Sequence, residues 1–231
     1  MCEKSLSTAF SDSLKAEVLS CISGYAEIGL DAIIEDGILK DIPILSTFAA
    51  VYKIGSSIKD RHNLKKLVVF LNQLASGIVG DEKRKKYQQK FQSNEKFRNQ
   101  EIEYLLILID RYINYDKPQM LAKLYLAYLD DTIIWEELTM YAEVIDRFLL
   151  LDCNFLVSDS DTYKTHRNIG VEPILRLVAL GLMVEESSDS LWTSDGRGGF
   201  AITATSMERA NLKEKKYKRT EFGEKLAAIL K

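Results

Sequence analysis

The chain of 231 residues has few of the residues that interrupt helices, with 3 prolines and 12 glycines. Inside a helix, proline costs about 3 kcal/mol and glycine about 1 kcal/mol relative to alanine, so their scarcity favours long helices. The same scarcity excludes collagen-like and low-complexity chains. Because 46% of the residues are hydrophobic, the chain can bury a sizeable core in one or two domains.

Cysteine and histidine are rare as well. Cys2, Cys21 and Cys153 are too widely spaced to form a Cys-x-x-Cys pair, which argues against a zinc ribbon or a dithiol redox site. The two histidines, His62 and His166, lack the spaced partners that a metal site needs. We therefore expect reduced thiols, no bound metal and no cofactor.

Motifs that accompany catalysis are also missing, since the sequence contains no G-x-S-x-G, P-loop or H-E-x-x-H pattern. The acidic stretch from Asp130 to Glu137 superficially matches the second half of a calcium loop. If Glu137 were the last ligand, Leu126 and Tyr128 would occupy two positions that require carboxylates. We expect a turn that caps the helix starting near Trp135, and we expect the protein not to be an enzyme.

No run of about 20 apolar residues is present, which argues against a transmembrane helix. The first ten residues lack the basic start and the apolar stretch of a secretory signal, so we expect a cytoplasmic protein. The nearest candidate for membrane contact is the segment Ile42 to Ile58, which Pro43 and Lys53 interrupt. A membrane-active effector that uses this segment is the first alternative function.

The net charge of −3 argues against a uniformly basic nucleic-acid binder, but the charge is unevenly distributed. Residues 81–98 carry seven bases and three acids (+4), residues 207–219 carry six bases and two acids (+4), and residues 99–165 carry five bases and thirteen acids (−8). The basic side chains would contact phosphates or an acidic partner. The candidate contact residues are Lys83, Arg84, Lys85, Lys86, Lys90, Arg197, Lys215, Lys216, Lys218 and Arg219. A solvated surface and attraction between acidic and basic faces of two copies are the alternatives.

Apolar residues recur at helical spacing through the first two thirds of the chain, which predicts a multi-helix bundle over residues 1–156. The polar stretch starting at Val157 marks the predicted boundary, and the second domain spans residues 157–231. The predicted helices are Ser11–Ile28, Gly29–Asp41, Pro43–Ile58, Leu64–Ile78 and a central buried helix Glu101–Asn114, followed by two helices joined by Asp130–Ile134. Gly77 and Gly80 are the residues expected to end the fourth helix.

Beyond the boundary the pattern is mixed. A helix face formed by Ile174, Leu175 and Val178 precedes a strand. The alternation of apolar and polar residues predicts a hairpin between Leu182 and Thr205. Its flexible tip would be Asp195-Gly-Arg-Gly-Gly. Tyr217 to Thr220 would add a short edge strand. Thr220 is then the predicted N-cap of a terminal helix that buries Phe222, Leu226, Ile229 and Leu230.

The order helix, Leu180-Gly-Leu-Met, hairpin, Tyr217-Lys-Arg-Thr-Glu-Phe-Gly-Glu-Lys-Leu, helix resembles the closing half of bacterial winged-helix domains. The likeness covers about a quarter of the chain. Two features depart from that family: Val157 to Arg167 is a long polar connector where a tight turn is usual, and Leu191 to Gly199 extends the hairpin. The resemblance implies a fold that is mainly α, with a helical bundle followed by a small α+β winged-helix-like domain. It does not imply DNA binding, because winged helices also bind proteins.

Two N-terminal runs, Ile42-Pro-Ile-Leu-Ser-Thr-Phe and Ile58-Lys-Asp-Arg-His-Asn-Leu-Lys-Lys-Leu, look like small uncharacterised bacterial helical proteins, some of them linked to phage conflict. We therefore expect a bacterial interaction or regulatory protein, and the likeness suggests antiviral defence as its setting. Its C-terminal domain would bind a protein, a second copy of the chain, or nucleic acid. An enzyme without a recognisable motif is the second alternative.

Overall fold

The computed structural model describes Ala9 and residues 46–47, 58–77, 93–158, 162–165, 172–186, 193–194, 200–201 and 215–231. The predicted helices Ser11–Ile28, Gly29–Asp41 and Pro43–Ile58 lie almost entirely outside these residues. The chain divides into two compact units, the first ending at Arg147 and the second starting at Phe148. The described part holds seven helices and five short strands, which confirms the prediction of a mainly helical protein.

Four helices of the first unit are described. Their bounds are α1 Ile58–Ser76, α2 Glu95–Arg111, α3 Asp116–Leu129 and α4 Trp135–Arg147. Helix α1 packs against α3, α3 packs against α4, and α2 contacts both α1 and α4. The short connection between α3 and α4 makes these two successive helices neighbours.

The predicted apolar stripe of α1 is buried, and the residues between its members, such as Lys66, Val69 and Phe70, are buried as well, so the middle of this helix is covered all round. The helix ends at Ser76, and Gly77 follows it as predicted. A Cβ atom on Gly77 would lie 2.2 Å from Leu126 Cδ1, so a larger residue there would press on α3. The buried residues of the stripe are Leu64, Leu67, Val68, Leu71 and Leu74.

Helix α2 differs from its prediction in both length and burial. It ends at Arg111 and not at Asn114, and the side chains of Ile107 and Ile113 are 52% and 80% exposed. An apolar run cannot indicate which of its faces meets a neighbour, and here only one face packs against α1 and α4. The buried residues on that face include Ile102, Leu105, Leu108 and Ile109.

The connection between α3 and α4 has the predicted bounds, residues 130–134. Asp131 adopts a positive φ of 56°, and the amide of Thr132 donates to the Ala127 carbonyl to close the end of α3. At the start of α4, Glu137 Oε2 accepts a hydrogen bond of 3.0 Å from the Ile134 amide. The acidic residue thus caps a helix, as predicted.

The second unit combines helices with a three-stranded antiparallel sheet in the order β1-β5-β2 and a separate pair of short strands, β3 and β4. Helix α5 packs against α6 and α7, which places it in this unit although it precedes the boundary predicted at Val157. The elements are α5 Leu150–Val157, β1 Thr162–Thr165, α6 Glu172–Ala179, β2 Met183–Glu186, β3 Thr193–Ser194, β4 Phe200–Ala201, β5 Lys215–Arg219 and α7 Glu221–Leu230.

The pairing of strands differs from the predicted hairpin. Strand β2 pairs with β5, so that Met183 lies opposite Arg219, and the segment predicted as an edge forms the centre of the sheet. Strands β3 and β4 pair with each other, with Thr193 opposite Ala201. The rest of the predicted hairpin lies outside the described residues. Alternation indicates that a segment is a strand but does not identify its partner.

Helix α6 ends in a left-handed turn. Gly181 has φ 73°, its amide donates to the Val178 carbonyl, and the Leu182 amide donates to the Leu177 carbonyl, as in a Schellman motif. Leu182 is buried, whereas Leu175 of the predicted helix face is 51% exposed. The helix turns Leu177 inward instead, because Ile174 and Leu177 are one turn apart on the face that packs.

The predicted cap of the terminal helix is confirmed. Thr220 Oγ1 accepts a 3.0 Å hydrogen bond from the Gly223 amide and donates to the Gly181 carbonyl at 2.7 Å. One side chain thus begins α7 and holds it against the turn after α6. Leu226 and Leu230 are buried, while Phe222 and Ile229 are half-buried.

Gly223 permits this close approach, so Gly223→Ala should destabilise the second unit. A Cβ atom there would lie 2.0 Å from the Leu182 carbonyl oxygen, although alanine ordinarily favours helices. We expect a loss of about 2 kcal/mol from overpacking. Gly181→Ala is the control: its Cβ meets nothing within 4 Å, and only the positive φ is strained. Chemical denaturation and hydrogen exchange across α7 measure both effects, and a stabilised Gly223→Ala protein would contradict the packing described here.

Candidate functional site

Helix α6 of the second unit has an outward face that is exposed. Its exposed side chains are Glu172, Leu175 and Ala179, and Pro173 and Leu180 are half-buried beside them. This face is therefore apolar with one carboxylate at its start.

The one cation on α6, Arg176, is paired with a buried carboxylate of α5, and its own side chain is 41% exposed. Arg176 Nε donates to Asp152 Oδ2 at 2.7 Å, and its second guanidinium nitrogen donates to Oδ1 at 2.6 Å. Asp152 has no exposed surface, and the hydrogen bonds to it raise the pKa of Arg176. This bidentate pair joins α6 to the first turn of α5, where a carboxylate also favours the helix dipole.

Strand β5 carries the only candidate basic residues whose side chains the structure describes. Lys216 and Lys218 are exposed on one side of the strand, and Lys218 lies 3.7 Å from Glu186. Arg219 points elsewhere: it donates to the carbonyls of Leu156 and Ser158 at 3.0 and 2.8 Å.

Arg219 shares the carboxyl end of α5 with Tyr163. The Tyr163 hydroxyl donates to the Phe155 carbonyl and contacts the Ser158 hydroxyl, and the two rings of Phe155 and Tyr163 lie 6.3 Å apart. The described hydrogen bonds of Arg219 thus satisfy a helix end, and its contact with phosphate or an acidic partner stays a prediction.

The other predicted contact residues are not brought together by described structure. Lys83, Arg84, Lys85, Lys86, Lys90 and Arg197 lie outside the described residues, and Lys215 is described only as a strand position. Of the ten candidates, Lys216 and Lys218 are the pair that shares a described surface.

The first unit contains a polar cluster around the turn between α2 and α3. Lys66 of α1, which is 1% exposed, donates to the carbonyls of Asp110 at 2.8 Å and Tyr112 at 2.6 Å. Burial lowers the pKa of Lys66, and the nearby Asp110 opposes this shift. Asn63 also donates to the Asp110 carboxylate.

His62 completes this cluster. Its Nε2 lies 2.8 Å from the Ile113 carbonyl, which assigns the proton to Nε2, and its Nδ1 accepts from the Tyr115 hydroxyl at 2.9 Å. Histidine, lysine, tyrosine and aspartate are typical catalytic residues, but here His62 and Lys66 hold backbone carbonyls. The cluster fixes a turn and presents no free general base.

A second buried polar contact joins α2 to α3. The Tyr128 hydroxyl donates to Glu101 Oε1 at 2.7 Å, and Glu101 is fully buried. Burial and this hydrogen bond raise the pKa of Tyr128. Trp135 packs between Tyr104 and Tyr128, with ring centroids 5.7 and 5.5 Å away.

Sequence reasoning missed Lys66, Glu101 and Asp152. Each is a charged residue next to strongly apolar segments, such as Leu149-Leu-Leu before Asp152. A charge in such a position is the signal that could have identified them, because buried charges require partners.

Within the described segments, no group of three or more His, Cys, Asp and Glu residues is arranged to hold a metal ion. Nor does the described part contain a helix whose length and apolar character would let it cross a bilayer. Comparison with protein-family models, curated proteins and solved structures gives no match. The functional argument therefore depends on the geometry of the chain itself.

Breaking the pair between Arg176 and Asp152 should destabilise the second unit. Arg176→Met leaves a buried carboxylate without its cation, so we expect the melting temperature to fall by about 5 °C or more. Adding Asp152→Leu should recover most of this loss, because it removes the stranded charge. Thermal circular dichroism measures both, with the exposed Glu172→Gln as control. An unchanged Arg176→Met protein would show that the pair has no structural role.

Tyr112 predicts how stability depends on alkaline pH. Burial, followed by the nearby Asp146, raises its pKa above the ordinary value near 10. Above pH 10 the unfolded chain therefore loses this proton first, and stability falls as pH rises. Tyr112→Phe should make this fall shallower by up to about 1.4 kcal/mol per pH unit. Its cost at pH 7 should be below about 1 kcal/mol, since the hydroxyl donates only a long 3.4 Å hydrogen bond to Ala142. Urea denaturation at pH 7 and above pH 10 tests this, and identical slopes would contradict it.

Proposed function

We propose that the chain is a non-enzymatic interaction or regulatory protein that binds another protein through the outward face of α6. The partner would present an apolar surface to Leu175 and a cation or hydrogen-bond donor to Glu172. The second unit would be a winged-helix variant that serves protein recognition and not DNA reading.

The arrangement of elements supports this assignment of the fold. Helix α6, the turn at Gly181, β2, a long connection, β5 and α7 follow one another in the order that carries the resemblance. Strand β1 adds to the other edge of β5. The connection between α5 and α6 holds a strand and residues outside the described set, so the first part of a winged helix remains a prediction.

The engagement of Arg176 by Asp152 is the observation that carries the functional proposal. A helix that reads DNA in the major groove needs cations and polar side chains directed at phosphates and base edges. On α6, every residue of which is described, the exposed residues are Glu172, Leu175 and Ala179, and the partly exposed Arg176 is held by Asp152. This face would repel phosphate and favours a protein surface.

An apolar helix face with a charged residue at one end is also how a small protein interface is built. Such interfaces have an apolar centre and a polar rim, and a few central side chains provide most of the affinity. Leu175 is 51% exposed at the middle of α6. Its neighbours Ile174 and Leu177 are buried, so the helix would present Leu175 from a rigid support.

Nucleic-acid binding through Lys216 and Lys218 is the second candidate, since both ammonium groups are exposed on β5. Two phosphate contacts would give only a weak salt dependence, with a slope of about −2 in a plot of log K against log salt. The membrane effector, the motif-free enzyme and the link to antiviral defence stay predictions. Almost all of the segment Ile42–Ile58 lies outside the described residues.

A photo-crosslinking amino acid in place of Leu175 tests the proposal in bacterial cells that express the full chain. We expect covalent protein adducts at position 175 and none at Ala228, an exposed position on α7 that serves as the control. In a pull-down with the tagged chain, Leu175→Asp should abolish capture of the partner protein. The melting temperature of the variant should not change, since this side chain is half exposed.

The nucleic-acid arm uses fluorescence anisotropy of a labelled DNA duplex and a labelled single-stranded RNA at about 50 mM salt, where phosphate contacts are strongest. If the unmodified chain binds either nucleic acid and the double variant Lys216→Ala with Lys218→Ala does not, nucleic-acid binding becomes the favoured function. If neither adducts nor retention are found, protein binding through α6 is wrong.

A further inference from the structure

Two surface patches with opposite charge share one layout, in which apolar side chains are surrounded by charged ones. The acidic patch lies on α2 and α4 of the first unit. The basic patch lies on β2 and β5 of the second unit. The acidic patch consists of Glu103, Tyr104, Ile107, Glu136, Met140 and Glu143, and the basic patch consists of Val184, Glu186, Lys216 and Lys218.

Contacts between α2 and α4 bring the acidic patch together. The Tyr104 hydroxyl donates to the Thr139 carbonyl at 3.3 Å, which joins the two helices. Burial raises the pKa of Tyr104, and the charge of the nearby Glu143 raises it further. Glu103 and Ile107 follow one another by one turn on the exposed side of α2.

The exposed stripe of α4 extends the same patch. Glu136, Met140 and Glu143 are separated by four and three residues, and therefore share one helix face. All three are exposed, and Met140 is 56% exposed. Of the nearby cations, Arg111 is paired with Asp146, and Arg147 is at the end of the helix. Carboxylates therefore dominate the patch.

The register of the sheet builds the basic patch. Tyr217 is buried between the exposed Lys216 and Lys218, as expected for alternating side chains. Lys218 lies opposite Val184, and Lys216 lies opposite Glu186. Val184 is 42% exposed, so the lysines border an apolar side chain.

We propose that the chain self-associates head to tail, with the basic patch of one copy docked on the acidic patch of a second copy. Opposite charges align the two surfaces, and Val184 would meet the apolar centre formed by Ile107 and Tyr104. The two patches differ, so the contact is heterologous and extends into a ring or an open chain of copies. It uses no residue of the α6 face proposed above to bind a partner.

Sedimentation velocity of the full chain at low salt, about 20 mM, and at about 300 mM tests the proposal, because salt screens exposed charge pairs. We expect concentration-dependent oligomers at low salt and monomers at high salt. Lys216→Glu with Lys218→Glu, and separately Glu103→Lys with Glu143→Lys, should each weaken association at least about tenfold, since each places like charges in contact.

Mixing the two charge-reversed proteins gives the sharpest result. Each retains a patch that complements the other, so the equimolar mixture should associate although neither component does. The control Arg61→Glu with Lys96→Glu makes the same change in net charge as the lysine reversal, but outside both patches and near helix starts, where acidic residues are tolerated. It should associate like the unmodified chain.

Circular dichroism establishes that each variant is folded, and Lys216→Gln with Lys218→Gln replaces the charge-reversed pair if that protein unfolds. A monomeric unmodified chain at low salt would overturn the proposal. So would oligomers that survive either charge reversal, a mixture that fails to associate, or a control that loses association.

Discussion

Carbonyl groups at the carboxyl ends of helices are the constraint on which the described structure depends, because a buried carbonyl without a hydrogen bond is costly. In this protein, side chains from other elements meet that need. Lys66 holds the end of α2, Lys117 donates to the Asp146 carbonyl of α4 at 2.7 Å, and Arg219 holds the end of α5. Glycine performs this role after α6, where Gly181 adopts a left-handed conformation.

This use of cations changes how the charge of the chain is to be interpreted. A lysine or arginine that satisfies carbonyls both stabilises a helix end and joins two elements, and it is then unavailable to a ligand. Burial accordingly lowers the pKa of Lys66 and Lys117. Arg219 follows the same principle within the second unit, although a count along the sequence assigns it to a basic surface, and Arg176 is held by the Asp152 carboxylate. The cations that remain exposed on β5, Lys216 and Lys218, are therefore few, and their placement matters more than their number.

The sequence predicts what depends on local periodicity and misses what depends on the choice of neighbours. The stripe of α1, the connection 130–134 and the Thr220 cap are confirmed, because spacing and capping chemistry act within a few residues. The partner of β2 and the exposed position of Leu175 depend on contacts distant in the chain. The buried charges were missed for the same reason, since Asp152 is tolerable only because Arg176 lies 24 residues further on.

The polar cluster around His62 shows why residue types alone do not define an active site. His62 and Lys66 are groups that could transfer protons, yet their described donors hydrogen-bond to backbone carbonyls. An interaction surface requires the opposite arrangement. Its side chains project from a rigid support and remain exposed to a partner. Leu175 on α6 and Val184 on β2 have that character, since the residues beside them, Ile174, Leu177 and Met183, are buried. Interior polar groups consumed in holding helix ends, together with apolar side chains left at the surface, favour a protein whose work is binding.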